Sequence, residues 1–188
     1  MQKMRGLAER AKTLFRGRRG IALTAIFSLQ VVLQVVGAAC YSLFPDWLWA
    51  ICDALILVTP LLLGPVPGVI CCLPNLVAEI LWLAVKGYLG AFLHGIAFML
   101  TVLALGAAGQ AVGRRCVTKA ARCVSGAVLF EAGLIFENLL YCLLRAVFIA
   151  SAASPVTASA VLKTTLSVGN PVCLALLLLV SLAERPSP

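Results

Sequence analysis

Residues 55–80 read LILVTPLLLGPVPGVICCLPNLVAEI, and this stretch decides the fold class. Two long apolar runs flank a short break, GPVPG, at positions 64–68. Neither run alternates apolar and polar residues, as the strands of a membrane barrel would. Because only helices and closed barrels satisfy their backbone in lipid, the runs predict transmembrane helices that reverse at a Gly/Pro turn.

The whole chain has the same character. Its 188 residues are 62% hydrophobic and 12% charged, and the mean hydropathy is +1.06. Soluble domains are about half apolar and about a quarter charged, so this composition excludes an ordinary soluble protein. We therefore expect an all-α integral membrane protein with one transmembrane domain.

Six apolar runs approach the length of a transmembrane helix, which is about 17–25 residues. We predict a six-helix transmembrane domain over residues 21–183, preceded by a basic, amphipathic cytoplasmic segment (1–20) and followed by a cytoplasmic tail (184–188). The first twenty residues lead into a full-length run, so we expect no cleavable signal peptide. The predicted spans are 21–44, 47–63, 66–85, 88–107, 123–149 and 160–183.

The distribution of Lys and Arg predicts the orientation of this bundle. With six spans, twelve of the fifteen basic residues fall on one side, in the N-terminal segment, the loop at 108–122 and the tail. The positive-inside rule then puts both termini in the cytoplasm, with the chain as a multi-pass protein of the plasma membrane. The net charge of +8 is explained by topology and contact with anionic lipid, and it does not indicate nucleic-acid binding.

Polar residues at membrane depth repeat at helical spacing on three of the predicted spans. Charged side chains there cost at least about 2.5–3.5 kcal/mol each, so they face the bundle interior or a water-filled cavity. Each set shares one helix face, and the sets are richest in the outer half of the membrane. They are Asn75, Glu79, Trp82 and Lys86 on span three; Glu131, Asn138, Tyr141 and Arg145, with Glu137 alongside, on span five; and Lys163, Ser167 and Asn170 on span six.

Two interpretations of these polar faces stay open. They line an outward-facing pocket for a small polar or zwitterionic solute, or they form pairs such as Glu79 with Lys163 that only fix helix packing. Lys86, Arg145 and Lys163 also have the length to reach the interface. The candidate solute-binding residues are Glu79, Trp82, Glu137, Asn138, Tyr141, Arg145, Lys163 and Asn170.

Other polar residues in the spans carry weaker signals. Gln30 and Gln34, four apart on span one, favour helix–helix hydrogen bonds over ligand contacts. Asp53 stands alone in span two and suits either a proton or cation role or a satisfied internal carboxyl. His94, the single histidine, supports no assignment by itself.

Enzyme and metal motifs are missing from the sequence. The eight cysteines include no CxxC pair, and with one histidine they indicate apolar filler, so we predict neither a metal nor another cofactor. No nucleophile–base set, HExxH or Gly-rich phosphate loop is present, so we expect no enzyme activity. The chain therefore cannot couple ATP hydrolysis to transport without a partner.

The plan resembles the substrate-binding membrane subunit, or S component, of energy-coupling factor (ECF) vitamin transporters. Residues 55–80 look like the family's spans two and three around a GPxxG turn, here Gly64, Pro65, Pro67 and Gly68. Phe44 and Pro45 after span one, and VLALGAAGQAVGRR at 102–115, also fit. The family docks its coupling subunit on small residues of span one, for which the nearest match is Gly20, Thr24 and Ser28.

The resemblance implies a division of labour. This subunit would capture a vitamin-like solute from outside, while a coupling membrane subunit and two cytoplasmic ATPases drive its release inside. Two rival functions stay open. One is a self-contained secondary transporter with Asp53, Glu79 or Glu131 as proton carrier, and the other is a non-transporting scaffold like the MreD-type cell-shape proteins.

Overall fold

The computed structural model describes residues 17–39, 46–115 and 118–149, and within these ranges the chain is entirely helical apart from short turns. Four of the five helices contain segments long and apolar enough to cross a membrane, which is typical of an integral membrane protein. The predicted sixth span, with Lys163 and Asn170, lies outside the described residues. The helices are α1 (Gly17–Ala39), α2 (Asp46–Leu63), α3 (Pro65–Lys86), α4 (Leu89–Arg115) and α5 (Lys119–Phe148).

Helix α2 differs from the other four in length and burial. Its apolar part, Ile51–Leu63, is shorter than the other apolar segments, although the sequence predicts a span over 47–63. Side chains on several faces of this part are almost fully buried, among them Cys52, Ala54 and Leu57. Helix α2 is therefore an internal helix of the bundle, packed against α3 and α4.

The predicted Gly/Pro turn joins α2 to α3 through one residue, Gly64. Gly64 has φ 100°, a backbone conformation that favours glycine, and its N–H donates to the carbonyl of Pro60 at 3.0 Å. Pro65 starts α3, where its missing N–H costs nothing. Gly106 of α4 packs against this turn so closely that an added Cβ would lie 2.5 Å from the Cα of Pro65.

The loop predicted at 108–122 is mostly helical. Helix α4 continues to Arg115, and α5 begins at Lys119. The side chain of Thr118 caps α5 by accepting a hydrogen bond from the N–H of Ala121 at 3.2 Å. Hydropathy marks where a helix leaves the hydrocarbon, whereas Ala- and Arg-rich sequence continues the helix beyond that point.

The core lies where α2, α4 and α5 meet, around Phe98, Phe130 and Ile56. Two glutamines of α1 connect this helix to the rest of the bundle through hydrogen bonds. Gln30 donates to the carbonyl of Cys52 at 2.8 Å, and Gln34 donates to Asn75 Oδ1 at 3.0 Å. The predicted role of both glutamines in helix–helix hydrogen bonds is confirmed.

Candidate functional site: a polar cavity at one end of the bundle

A cavity of about 610 Å³ lies at the end of the bundle where α3 turns into α4. All five helices contribute residues to the wall of this cavity. The residues from α1 and α3 lie toward the C-terminal ends of these helices, and those from α2 and α4 lie toward the N-terminal ends. Two exposed residues of the wall, Lys86 and Tyr88, belong to this turn, so the cavity reaches the surface there. The wall consists of Gln34, Trp49, Asp53, Asn75, Ala78, Glu79, Trp82, Lys86, Tyr88, Ala91, His94 and Tyr141.

His94 of α4 connects three helices at this cavity. Its Nδ1 lies 3.1 Å from Oε1 of Glu79 on α3, and its Nε2 lies 3.6 Å from Oε1 of Glu137 on α5. Edge-to-face contacts with Phe98 and Tyr141, at centroid distances of 4.8 and 5.2 Å, fix the plane of the imidazole. The three side chains are mostly buried, so they form an internal polar bridge between α3, α4 and α5.

The bridge has a defined requirement for protons. A neutral imidazole donates from one ring nitrogen and accepts at the other, whereas an ionised carboxylate only accepts. The hydrogen bond between Nδ1 of His94 and Glu79 holds one proton, on either the imidazole or the carboxyl group, whereas Oε1 of Glu137, 3.6 Å from Nε2, has no hydrogen-bond partner. Glu79 and His94 can therefore share a proton inside the bundle, and the carboxylate of Glu137 is close enough to stabilise an imidazolium.

Asn75 carries an unsatisfied donor in the cavity wall. Its Oδ1 accepts from Gln34, while its Nδ2 has no hydrogen-bond partner. The side chain is 4% exposed, so the unpaired amide is held deep in the wall. Buried polar atoms are normally paired, and this one is covered by protein atoms, so a ligand or water molecule in the cavity pairs with it only after the Asn75 side chain shifts.

Aromatic rings form much of the remaining wall. The aromatic residues that line the cavity are Trp49 of α2, Trp82 of α3, Tyr88 of the turn between α3 and α4, and Tyr141 of α5. The guanidinium carbon of Arg145 lies 5.6 Å from the centre of the Tyr141 ring, a cation–π contact at the same end of the bundle. The wall thus combines flat apolar surfaces with carboxyl, amide and imidazole groups.

The structure brings some of the predicted binding residues together and separates others. Glu79, Trp82 and Tyr141 line the cavity, and Glu137 reaches it through His94. The other two described candidates lie outside the wall: Asn138 donates to the carbonyl of Leu134 in its own helix, and Arg145 stacks on Tyr141.

The orientation of α5 explains this separation. Its most buried residues include Phe130, Leu134 and Glu137, so the inward face passes through them. The sequence pattern instead places the polar face along Glu131, Asn138 and Arg145, which is offset from the buried face by about one residue. Since one residue turns a helix by about 100°, Glu137 moves to the interior and Asn138 to its flank.

Two of the three predicted docking residues on α1, Thr24 and Ser28, lie on an accessible surface. Gly20 is buried, while Thr24 and Ser28 are exposed within the described residues. The hydroxyl of Thr24 donates to the carbonyl of Gly20 at 2.9 Å, so it is satisfied within its own helix. Thr24 therefore presents no unpaired hydroxyl donor at this surface.

Sequence reasoning missed the central residue of the site. His94 has no partner nearby in the sequence, because Glu79 and Glu137 lie on other helices. Asp53 and Tyr88 line the wall for the same reason, through helix packing. One signal was available: His94, Glu79 and Asp53 are all ionisable residues predicted inside spans, and such residues usually pair.

Among residues 17–39, 46–115 and 118–149, no group of three His, Cys, Asp or Glu side chains is arranged to hold a metal ion. Cys52, Cys71, Cys72, Cys123 and Cys142 are free thiols.

No known protein family, curated protein or solved structure matches the chain.

Proposed function

We propose that the protein binds a small polar solute within the membrane, as the substrate-capture subunit of an ECF-type importer. The observation that carries this proposal is the cavity itself. It is roughly 610 Å³, within the range of about 300–1,000 Å³ typical of small-molecule sites, and it reaches the end of the bundle. Keeping ionisable groups at membrane depth is costly, and a binding function accounts for that cost.

The chemistry of the wall supports a ring-shaped polar solute. Trp49, Trp82 and Tyr141 offer flat surfaces, and Asp53, Asn75 and His94 offer polar groups between them. Few, well-placed polar groups within apolar walls are the usual pattern of small-molecule sites. By contrast, a scaffold protein has no need of such a cavity, which disfavours the MreD-like alternative.

The proposal includes partners, because the sequence has no nucleotide-binding motif. A coupling membrane subunit and two cytoplasmic ATPases would supply the energy, with the exposed surface at Thr24 and Ser28, next to the buried Gly20, as the docking site. Close helix approach over small residues supports this choice. Affinity purification from native membranes should recover these three partner subunits together with the protein.

A self-contained proton-coupled transporter is the second candidate. The observation that favours it is the bridge of Glu79, His94 and Glu137, since such chains of ionisable groups carry protons in transporters. Liposomes that contain only this protein separate the candidates. Solute flux driven by a proton gradient would favour the second candidate, and no flux without the ATPases would favour the first.

Filling the cavity should abolish solute capture. Ala91 lies in the wall on α4 and is 8% exposed, so Ala91→Phe projects a ring into the cavity. We expect native mass spectrometry of the purified wild-type protein to detect a co-purified solute below about 500 Da, a mass that a site of this volume class holds. The Ala91→Phe variant should carry at least about ten-fold less of it, a loss of about 1.4 kcal/mol or more of binding free energy.

The matched control is Ala104→Phe on the same helix, at an exposed position away from the cavity. It makes the same substitution and should retain the solute. Equal retention by both variants would contradict the assignment of the cavity as the binding site. Loss from both would indicate a general effect of phenylalanine on α4.

A further inference from the structure

We infer that the cavity selects a small organic cation, a ring or amine with one positive charge and a hydrogen-bond acceptor, and that Asp53 is its counter-charge. This inference rests on the proposed function, because it names the class of solute that the same site takes. Three separate features of the wall support it: the balance of charge, the unpaired donor of Asn75 and the arrangement of aromatic rings.

The inner part of the cavity is short of positive charge. His94 supplies at most one positive charge, and the carboxyl groups of Glu79 and Glu137 are both on its ring nitrogens. Asp53, a third carboxyl group, lines the cavity outside these two ion pairs. With all three carboxyl groups ionised, a cationic solute supplies the missing charge, whereas an anion would be repelled at close range in a site of low dielectric constant.

The basic side chains of the neighbourhood lie at the end of the bundle. Lys86 is the last residue of α3 and is exposed, and Arg145 is in the last turn of α5, where it stacks on Tyr141. Lys86 lies about two helical turns nearer the end of α3 than Glu79 does. Arg145 lies about two helical turns nearer the end of α5 than Glu137 does. A solute that enters past them meets an acidic interior.

Asn75 indicates the second group on the solute. Its Nδ2 is a donor without a partner, and Gln34 already occupies its Oδ1. A buried unpaired donor is stabilised by an acceptor such as a carbonyl or hydroxyl oxygen. The solute therefore combines a positive charge, held near Asp53, with an acceptor that pairs with Asn75 when a shift of the amide side chain brings Nδ2 to the cavity.

The rings around Asp53 suit a cation. Trp49 lies one turn before Asp53 on the same helix, and Trp82 and Tyr141 come from α3 and α5. Aromatic faces attract organic cations most strongly when water is excluded, and walls of several rings recognise quaternary nitrogen. The same rings would also hold a neutral heterocycle by stacking. A cationic solute is therefore distinguished from a neutral one by its charge.

The test uses three probes with the same ring and similar size that differ in charge. They are 1-methylpyridinium-3-carboxamide (a cation), pyridine-3-carboxamide (neutral) and pyridine-3-carboxylate (an anion), and all three carry an acceptor oxygen for Asn75. Their affinities for the full-length protein in detergent are measured by isothermal titration calorimetry. We expect the cation to bind at least about ten-fold tighter than the neutral probe, and the anion to bind weakest.

Variants then assign the preference to Asp53. In Asp53→Asn the cation should lose its advantage to within about two-fold of the neutral probe, whereas Asp53→Glu should keep it. Glu131→Gln, the same kind of change at an acid outside the cavity wall, is the control and should leave the order intact. If Asp53→Asn does not fold, the wild type and Asp53→Glu still decide the order of the probes.

Several outcomes would overturn the inference. They are equal or tighter binding of the neutral or anionic probe, an unchanged preference in folded Asp53→Asn, and no binding of the cation at about 10 mM. Failure of the proposed function looks different, because then no solute co-purifies and Ala91→Phe changes nothing. A co-purified solute that is neutral or anionic would leave the proposed function standing and remove this inference alone.

Discussion

At the scale of single residues, His94 determines how the site is built. It is the only described side chain that links α3 and α5 through charged groups, and the flanking rings of Phe98 and Tyr141 hold its plane. A lone histidine in an apolar sequence gives no hint of this. Its partners lie 15 and 43 positions away along the chain, so only the packing of three helices brings them together.

Removing the imidazole should destabilise the fold. In His94→Ala the carboxyl groups of Glu79 and Glu137 lose their shared partner inside the bundle, and breaking one side of a buried ion pair costs about 3–5 kcal/mol. We expect a loss near the lower end of that range, because a carboxyl group can take up a proton. Chemical unfolding in detergent micelles measures this change in the free energy of unfolding.

A double-mutant cycle isolates the contribution of charge. Adding Glu137→Gln to His94→Ala replaces a carboxylate with a neutral amide, so the double variant should be more stable than the sum of the two single effects predicts. Strict additivity of the two effects would show that His94 and Glu137 do not interact. It would also remove the case for a proton held between them.

At the scale of helices, close contact at glycine sets the position of α4 against the α2–α3 turn. An added Cβ at Gly106 would lie 2.5 Å from the Cα of Pro65, whereas the same addition at Gly113, two turns further along, meets nothing within 4 Å. Backbone at Pro65 cannot move aside as a side chain can. The two glycines of one helix therefore differ in what they allow.

Alanine substitutions should separate these two glycines. Gly106→Ala forces α4 away from Pro65 and should cost about 1–3 kcal/mol, the usual range for overpacking. Gly113→Ala meets no neighbour and should be neutral, or stabilising by up to about 1 kcal/mol, since alanine favours a helix. Unfolding curves of the two variants measured side by side test this, and equal effects would contradict the close contact.

Helix positions were predictable to the extent that apolar length defines them. The reversal at Gly64 and the cores of α3, α4 and α5 follow from the sequence, because Gly and Pro interrupt long apolar runs there. Helix ends near Arg115 and Lys119 were not predictable from hydropathy, because those residues are polar and still helical. The rotation of α5 also escaped prediction, since Glu131 and Glu137 are equally polar and only packing distinguishes them.

At the scale of the whole molecule, the polar groups gather at one end. The cavity lies beside the turn at Gly87 and Tyr88, and the basic residues Arg114 and Arg115 end α4 far from it. If basic residues face the cytoplasm, the cavity opens to the outside, as solute uptake requires. The charge distribution along the chain predicts this orientation, which stays a prediction until it is measured.

Chemical labelling tests the orientation. In a background without the other native cysteines, Tyr88→Cys should react with a membrane-impermeant maleimide on intact cells. Native Cys116, in the connection between α4 and α5, should react only after the membrane is permeabilised. The reverse pattern would place the cavity on the cytoplasmic side, and capture from outside would then be ruled out.

The single-residue connection at Gly64 has a consequence for biogenesis. At 1.5 Å per residue, Ile51–Leu63 extends about 20 Å, short of the roughly 30 Å of hydrocarbon in a bilayer. A nascent chain that ends after this helix would expose polar backbone ends to lipid and would leave Asp53 without its neighbours. We therefore expect the translocon to hold α2 until α3 is synthesised, and the two helices to enter the bilayer together as a hairpin.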